Sequence, residues 1–223
     1  MLRWPRGEGV AVGRSRCDAC GEAVAARDLI PLLSGIALRG RCRACAAPID
    51  PAHAAIEGLC GLVGASAFLV APGHAGFLGA LSGWLLVALA ALDLRHFWLP
   101  DRLTLSVALA GVAGGLTGVP PPLADRLIGA ASGFLALFLV AQAYRLVRKR
   151  EGMGGGDPKL FGAIGLMLGW QALPYVLLGA SGIGLAWVAA RAAMGKGIAE
   201  TDRLPFGALL CLAAFPIWTL MQA

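Results

Sequence analysis

Glu151-Gly152-Met153-Gly154-Gly155-Gly156-Asp157-Pro158-Lys159-Leu160 lies between two hydrophobic runs. That position sets it at or just inside a membrane boundary, and the rest of the chain is read outward from it. Glycines let a backbone approach other groups closely and permit positive φ. Asp157 is delivered at the mouth of the next apolar segment, with Pro158 at a favoured first-turn position. A carboxylate there can simply cap a helix. A catalytic reading requires a second carboxylate at comparable depth, and Asp93 is the candidate.

The surroundings are those of a membrane protein. Of 223 residues, 58% are hydrophobic and 14% charged, with a mean hydropathy of +0.73, which excludes an ordinary soluble domain. Apolar runs near bilayer-spanning length fall at 54–71, 77–94, 103–119, 125–147, 159–170, 172–190 and 205–222. Seven spans are expected, the fifth short, Gly-rich and tilted or partial. The expected fold is therefore an all-α polytopic membrane protein, with a small cytosolic zinc-binding domain at 1–53 and a transmembrane domain at 54–223. No cleavable signal peptide opens the chain, because residues 1–53 are basic and lack a long apolar run.

The net charge of +6 calls for no nucleic acid. With residues 1–53 in the cytoplasm and the spans alternating, the cytosolic segments hold all 19 basic residues but Arg126. Arg145, Arg148, Lys149 and Arg150 form a basic anchor at the inner leaflet.

Within residues 1–53, Cys17-Asp18-Ala19-Cys20 and Cys42-Arg43-Ala44-Cys45 form two CxxC pairs separated by 21 residues. Four thiolates in this arrangement are the usual ligands of structural zinc. Disulfides, redox chemistry and unliganded thiols are the alternatives, and a reducing compartment argues against disulfides. So small a unit lacks core enough to fold without a staple. Cys60 and Cys211 read as buried hydrophobes. Glu57, a turn into the first span, caps, snorkels or functions.

Asp93 closes the second span, about a turn inside its boundary. Arg95 offsets part of its insertion cost, so a purely structural carboxylate remains open. Asp101 and Asp125 read as helix caps. Gly162, Gly165 and Gly169 recur at helical spacing and suggest close helix packing. The Gly-rich stretch is not a phosphate loop, since GxxxxGK[ST] is absent. Two aspartates near one surface can divide general base and general acid between them. An ion-coupled transporter is the competing class, since intramembrane carboxylates also serve proton paths. The four-cysteine cap and the absence of an inverted repeat argue against it. A zinc-containing scaffold without turnover is the third reading.

Gly154-Gly155-Gly156-Asp157 resembles the GxGD signature of membrane aspartyl proteases, and the full stretch 151–160 resembles its prepilin peptidase form. So do Leu92-Asp93-Leu94 with Leu99-Pro100-Asp101, Ile30-Pro31-Leu32-Leu33-Ser34 before Leu38-Arg39-Gly40-Arg41-Cys42, and Pro205-Phe206-Gly207. The chain is similar from about Arg3 onward to the bifunctional bacterial type IV prepilin peptidases and N-methyltransferases. The resemblance implies catalysis by Asp93 and Asp157, support from Gly154, Gly156 and Lys159, and zinc on Cys17, Cys20, Cys42 and Cys45. It implies prepilin and pseudopilin substrates, cleavage after glycine at the cytosolic face of the inner membrane, and methylation of the new N-terminal residue from S-adenosylmethionine. It also implies one further apolar helix ahead of Met1, and Pro158 departs from the apolar or aromatic residue usual there.

Overall fold

The computed structural model describes residues 15–149, 152–195 and 204–222. Residues 1–14, Arg150, Glu151 of the quoted stretch, and Lys196 and Arg203 of the cytosolic set lie outside the described residues. Among the described residues all regular structure is helical, apart from two isolated bridges, Arg16 with Ala23 and Arg41 with Pro48. Chain contacts divide the protein into two units, Met1–Leu62 and Val63–Ala223.

The first unit holds a 3-10 turn at Ala26–Leu29, the one-turn helix α1 (Leu33–Ala37), and the opening of α2 (Pro51–Val70). Within it Arg43 pairs with Asp28, whose two carboxylate oxygens accept from the guanidinium at 2.6–3.2 Å.

The second unit continues α2 and adds α3 (His74–His96), α4 (Asp101–Leu116), α5 (Leu123–Arg148), α6 (Gly156–Leu168), α7 (Leu173–Ala193) and α8 (Phe206–Gln222). Together α2 to α8 coincide with the seven apolar runs. Four segments are long and apolar enough to cross a membrane: Pro51–Val70, His74–His96, Leu123–Arg148 and Trp170–Ala193. α8 is apolar but shorter. The outward surface of α5 carries Leu127, Ile128, Leu135, Phe138, Leu139 and Val140, all exposed, as a lipid-facing helix requires.

α6 is the hub. At 13 residues it is about 20 Å long, too short to cross a hydrocarbon core of about 30 Å alone. It is instead enclosed, chiefly by α5 and α4, with α8 beside it; ten of its residues are buried, among them Leu160, Phe161, Ile164 and Leu168. Small residues allow that enclosure. A β-carbon at Gly165 would run into the Gly129 carbonyl, one at Gly133 would stand 2.9 Å from the Phe161 oxygen, and one at Gly111 would stand 2.6 Å from Leu166 backbone. Backbones this close gain dispersion that lipid cannot match. Gly162 and Gly165 belong to this stripe. Gly169, at φ 79°, ends α6 and leads into the 3-10 turn Trp170–Ala172, and its backbone also packs closely, 2.9 Å from where a Gly129 β-carbon would lie. On the other side of the bundle α3 packs on α8, where Gly79 lies under the Trp218 ring and Gly83 under Phe215.

Arg126, the one basic residue assigned to the outer side, is buried at 3% exposure. Its five N–H groups donate to five carbonyls: Pro121 from Nε, Leu166 and Met167 from Nη1, Val119 and Pro120 from Nη2, at 2.7–3.0 Å. Leu166 and Met167 carry carbonyls that the end of α6 leaves without helical partners. The proline-rich loop has carbonyls but few N–H groups to meet them. One guanidinium therefore satisfies both at once.

Asp101 and Asp125 do not cap their helices as the sequence suggests. Pro100 and Pro122 occupy the N-cap positions and no side-chain cap bond forms. Asp101 instead accepts from Lys159 Nζ at 2.8 and 3.0 Å. Asp125 accepts from Trp170 Nε1 and Gln171 Nε2. Each ties the start of one helix to α6 or to the turn after it, a tertiary use that outcompetes the local one.

Candidate active site and metal centre

Asp93 lies in the last turn of α3, whose end is set by Phe97 in the left-handed conformation, its N–H donating to the Asp93 carbonyl. Asp157 is the second residue of α6. Both are buried, at 5% and 6% exposure. They are brought together by the start of α8. A β-carbon at Gly207 would stand 3.0 Å from Asp93 Oδ2 and 3.1 Å from Asp157 Oδ1. The two oxygens are therefore no farther apart than the sum of those distances, about 6 Å. A water bridging two oxygens by hydrogen bonds of about 2.8 Å spans up to about 5.6 Å, close to that upper limit, so one water can serve both.

Each carboxylate accepts from the backbone. Ala208 N–H donates to Asp93 Oδ2 at 2.8 Å, and Gly154 N–H donates to Asp157 Oδ2 at 3.2 Å. The Asp157 bond reaches back three residues, as an acidic residue in a first helical turn does. Asp157 Oδ1 faces Gly207. Such amide bonds offset part of the cost of burying carboxylates.

The glycine run contributes close approach and not left-handed backbone. None of the described glycines from 152 to 156 has positive φ. A β-carbon at Gly152 would strike the Tyr144 ring, and one at Gly156 would stand 2.9 Å from Leu99 Cβ. Gly154 supplies its amide. Gly155 faces open space. Lys159, exposed, turns to Asp101 and joins α6 to α4. Leu99, in the link between α3 and α4, touches the positions of both Gly156 and Gly207 and closes one wall.

Two participants carried no assigned role in the sequence. Pro205-Phe206-Gly207 stood out only as a resemblance, yet Gly207 and the Ala208 amide form the third side of the site. Arg126, in the sequence only a topological marker, fixes the opposite end of α6. A lone arginine beside three prolines was the available signal.

In the first unit, the Sγ atoms of Cys17, Cys20, Cys42 and Cys45 all lie within 4.8 Å of one another, with Cys17 and Cys45 at 3.9 Å. A tetrahedral zinc with bonds of about 2.3 Å requires edges of about 3.8 Å, so the set needs only slight contraction. The two halves are built alike. Cys17 N–H donates to the Glu22 carbonyl and Gly21 N–H to that of Cys17; Cys42 pairs with Ala47 and Ala46 with Cys42 in the same way, all at 2.9 Å. The residue after each second cysteine, Gly21 and Ala46, takes positive φ. All four thiols are free of disulfides. The backbone amides of Cys20 and Ala19, with the Cys42 thiol, draw the Cys17 thiol down to about 7. Cys20, despite the Glu22 backbone, is pushed up to about 12 by Cys45 and the other sulfurs. Four crowded sulfurs resist common ionisation unless a cation joins them.

Residues 80–189 match the type IV leader peptidase family and residues 1–71 match the bacterial peptidase A24 N-terminal domain. The first interval contains both aspartates and the second all four clustered cysteines. The chain is 41% identical to a prepilin leader peptidase/N-methyltransferase of Aeromonas hydrophila, over 92% of this chain and 70% of that protein. Its identity to the protein of the same name from Klebsiella pneumoniae is 41%, over 81% of this chain and 80% of that one. For Stutzerimonas stutzeri the figures are 38%, 90% and 70%. No solved structure matches the chain significantly. With long apolar helices, a membrane-type exterior and these relatives, the chain is a multi-pass membrane protease that belongs to the type IV leader peptidase family.

Proposed function

We propose that this protein removes the leader of prepilins and pseudopilins by a two-aspartate mechanism at Asp93 and Asp157. The observation that carries the reading is the convergence of two buried carboxylates, from α3 and α6, on the side-chain-free position Gly207. One carboxylate, ionised, takes a proton from the water between them. The other, protonated, donates to the carbonyl oxygen of the scissile peptide as the water attacks its carbon. Two carboxylates this close hold one proton between them more readily than two charges, so the protonation states belong to the pair. The absence of a side chain at Gly207 keeps the volume between the two carboxylates free for the water. Gly156 lets the loop approach Leu99, Gly154 gives its amide to Asp157, and Lys159 with Asp101 sets the entrance of α6 against α4.

The proposed topology passes the chain seven times through the bundle in the inner membrane, the short α6 doing so enclosed by other helices and not against lipid, with the cysteine unit and the aspartate end of the bundle cytosolic. Arg95, Arg102, Arg145, Arg148, Lys149 and Lys159 lie at helix ends or in connections on that side, as the positive-inside rule requires. Zinc on Cys17, Cys20, Cys42 and Cys45 would bind the two CxxC turns into one unit and do no chemistry. Methylation of the new N-terminus from S-adenosylmethionine follows the name of the relatives.

The test is processing of a prepilin by the purified protein, read by product mass. Asp93→Asn and Asp157→Asn should each abolish cleavage while insertion and metal content persist. Cleavage at the normal rate by both variants would remove the two-aspartate mechanism.

A further inference from the structure

Among the described residues, the first unit carries a cluster of exposed apolar side chains. Leu29, Ile30, Leu32, Leu33 and Ile36 are 52%, 49%, 40%, 65% and 75% exposed. Large apolar residues concentrated over eight positions mark an interaction surface. Their backbone is held in place. Pro31 C=O accepts from Leu33 N–H at 2.7 Å across Leu32, which has φ 61° and ψ −46°, a γ-turn of the strained, positive-φ kind. The Leu32 N–H, turned outward by that geometry, donates to Glu57 Oε2 at 2.9 Å. Leu32 Cδ2 also stands 3.9 Å from where a Gly58 β-carbon would lie. The apolar turn is therefore fastened to the second turn of α2, within a segment long and apolar enough to cross a membrane. This is a definite role for Glu57, whose carboxylate would otherwise be an isolated charge at the start of that segment.

Charge supplies the second argument. Arg27, Arg39 and Arg41 flank the cluster and are exposed, while Asp28, the acidic residue nearest it in the chain, is neutralised by Arg43. An apolar turn rimmed by arginines and level with the entry of a membrane helix matches the interface of an anionic leaflet. A peptide partner would gain nothing from the fixed level, whereas lipid is present at that level wherever α2 crosses.

We propose that Leu29–Ala37 is a membrane-inserting knuckle: Leu33 and Ile36, with their apolar neighbours, enter the headgroup and upper acyl region of an anionic leaflet beside α2. The knuckle holds the cysteine unit against the bilayer surface. This rests on the reading that α2 crosses the membrane.

The experiment places a photo-crosslinking benzoylphenylalanine at Ile36, at Leu69 on α2, or at Asp18 in the first CxxC turn, in the full chain. Each variant is reconstituted in nanodiscs of phosphatidylcholine, with or without one part in four phosphatidylglycerol, and adducts are identified by mass. The expectation is lipid adducts at Ile36 and Leu69 and none at Asp18. The Ile36 yield should rise at least about fivefold with phosphatidylglycerol, the factor for one arginine engaged, and fall back in R27Q/R39Q/R41Q. Lipid adducts at Leu69 but not Ile36 would overturn the knuckle alone. None at either would overturn the crossing of α2 and the knuckle with it. A prepilin adduct at Ile36 displacing lipid would make this surface a substrate site and overturn the proposal.

Discussion

Gly207→Ala is the most exacting test of the site, because it adds one methyl group at the point where both carboxylates meet. The new carbon would stand 3.0 Å from Asp93 Oδ2, 3.1 Å from Asp157 Oδ1 and 2.7 Å from Leu99 Cδ1. The first two distances are a few tenths of an ångström inside ordinary contact, and the third about an ångström. Leu99 can turn aside at the usual overpacking cost of about 1–3 kcal/mol. The carboxylates cannot retreat without stretching the Ala208 and Gly154 amide bonds. The methyl group also occupies the volume in which a shared water would be held. Misplacement near 1 Å costs about a hundredfold in rate, and loss of the water costs more, so turnover should fall by at least about a hundredfold. The assay is prepilin cleavage read by mass, with thermal melting and gel filtration to establish that the bundle survives. Ala208→Gly, which keeps the amide on Asp93, should retain most activity. Near-normal turnover by a folded Gly207→Ala protein would mean that the reacting water does not sit between the aspartates.

Arg126→Met keeps the volume but strands five carbonyls, and should lower stability by at least about 3 kcal/mol in thermal or urea melts; an unchanged melting curve would show that water replaces the guanidinium without loss. Metal analysis should find close to one zinc per chain, and Cys17→Ser should release it with collapse of the cysteine unit; disulfides and no metal would place these cysteines in an oxidising compartment. The Arg43 guanidinium holds the Asp28 carboxyl below the usual carboxylate range. With the folded value depressed, the pair stabilises above the ordinary carboxylate pKa and loses that effect as pH falls through the folded value. The melting difference between wild type and Asp28→Asn should therefore be present at neutral pH and vanish in acid; a difference growing toward low pH would reverse the sign.

Much of this protein is decided by covalent order. The seven apolar runs become α2 to α8 because a chain in lipid must satisfy its backbone within each segment, and helices do so locally. The two CxxC pairs sit in short turns whose hydrogen bonds are local, so their convergence was legible from spacing. Asp157 was legible because its glycines and its helix entrance are contiguous with it. Other features depend on residues far apart in the chain. Asp93 gains a role from Ala208, Gly207 from two carboxylates on other helices, and Arg126 from the end of α6. Asp101 and Asp125 read as caps, since a sequence displays the local option, yet partners 58 and 45 residues away take them. Whether a short Gly-rich run would be a tilted span or a buried hub was likewise undecidable locally. Composition selects helices for lipid, but close packing through glycine is a property of two surfaces, and only the folded bundle determines which surfaces meet.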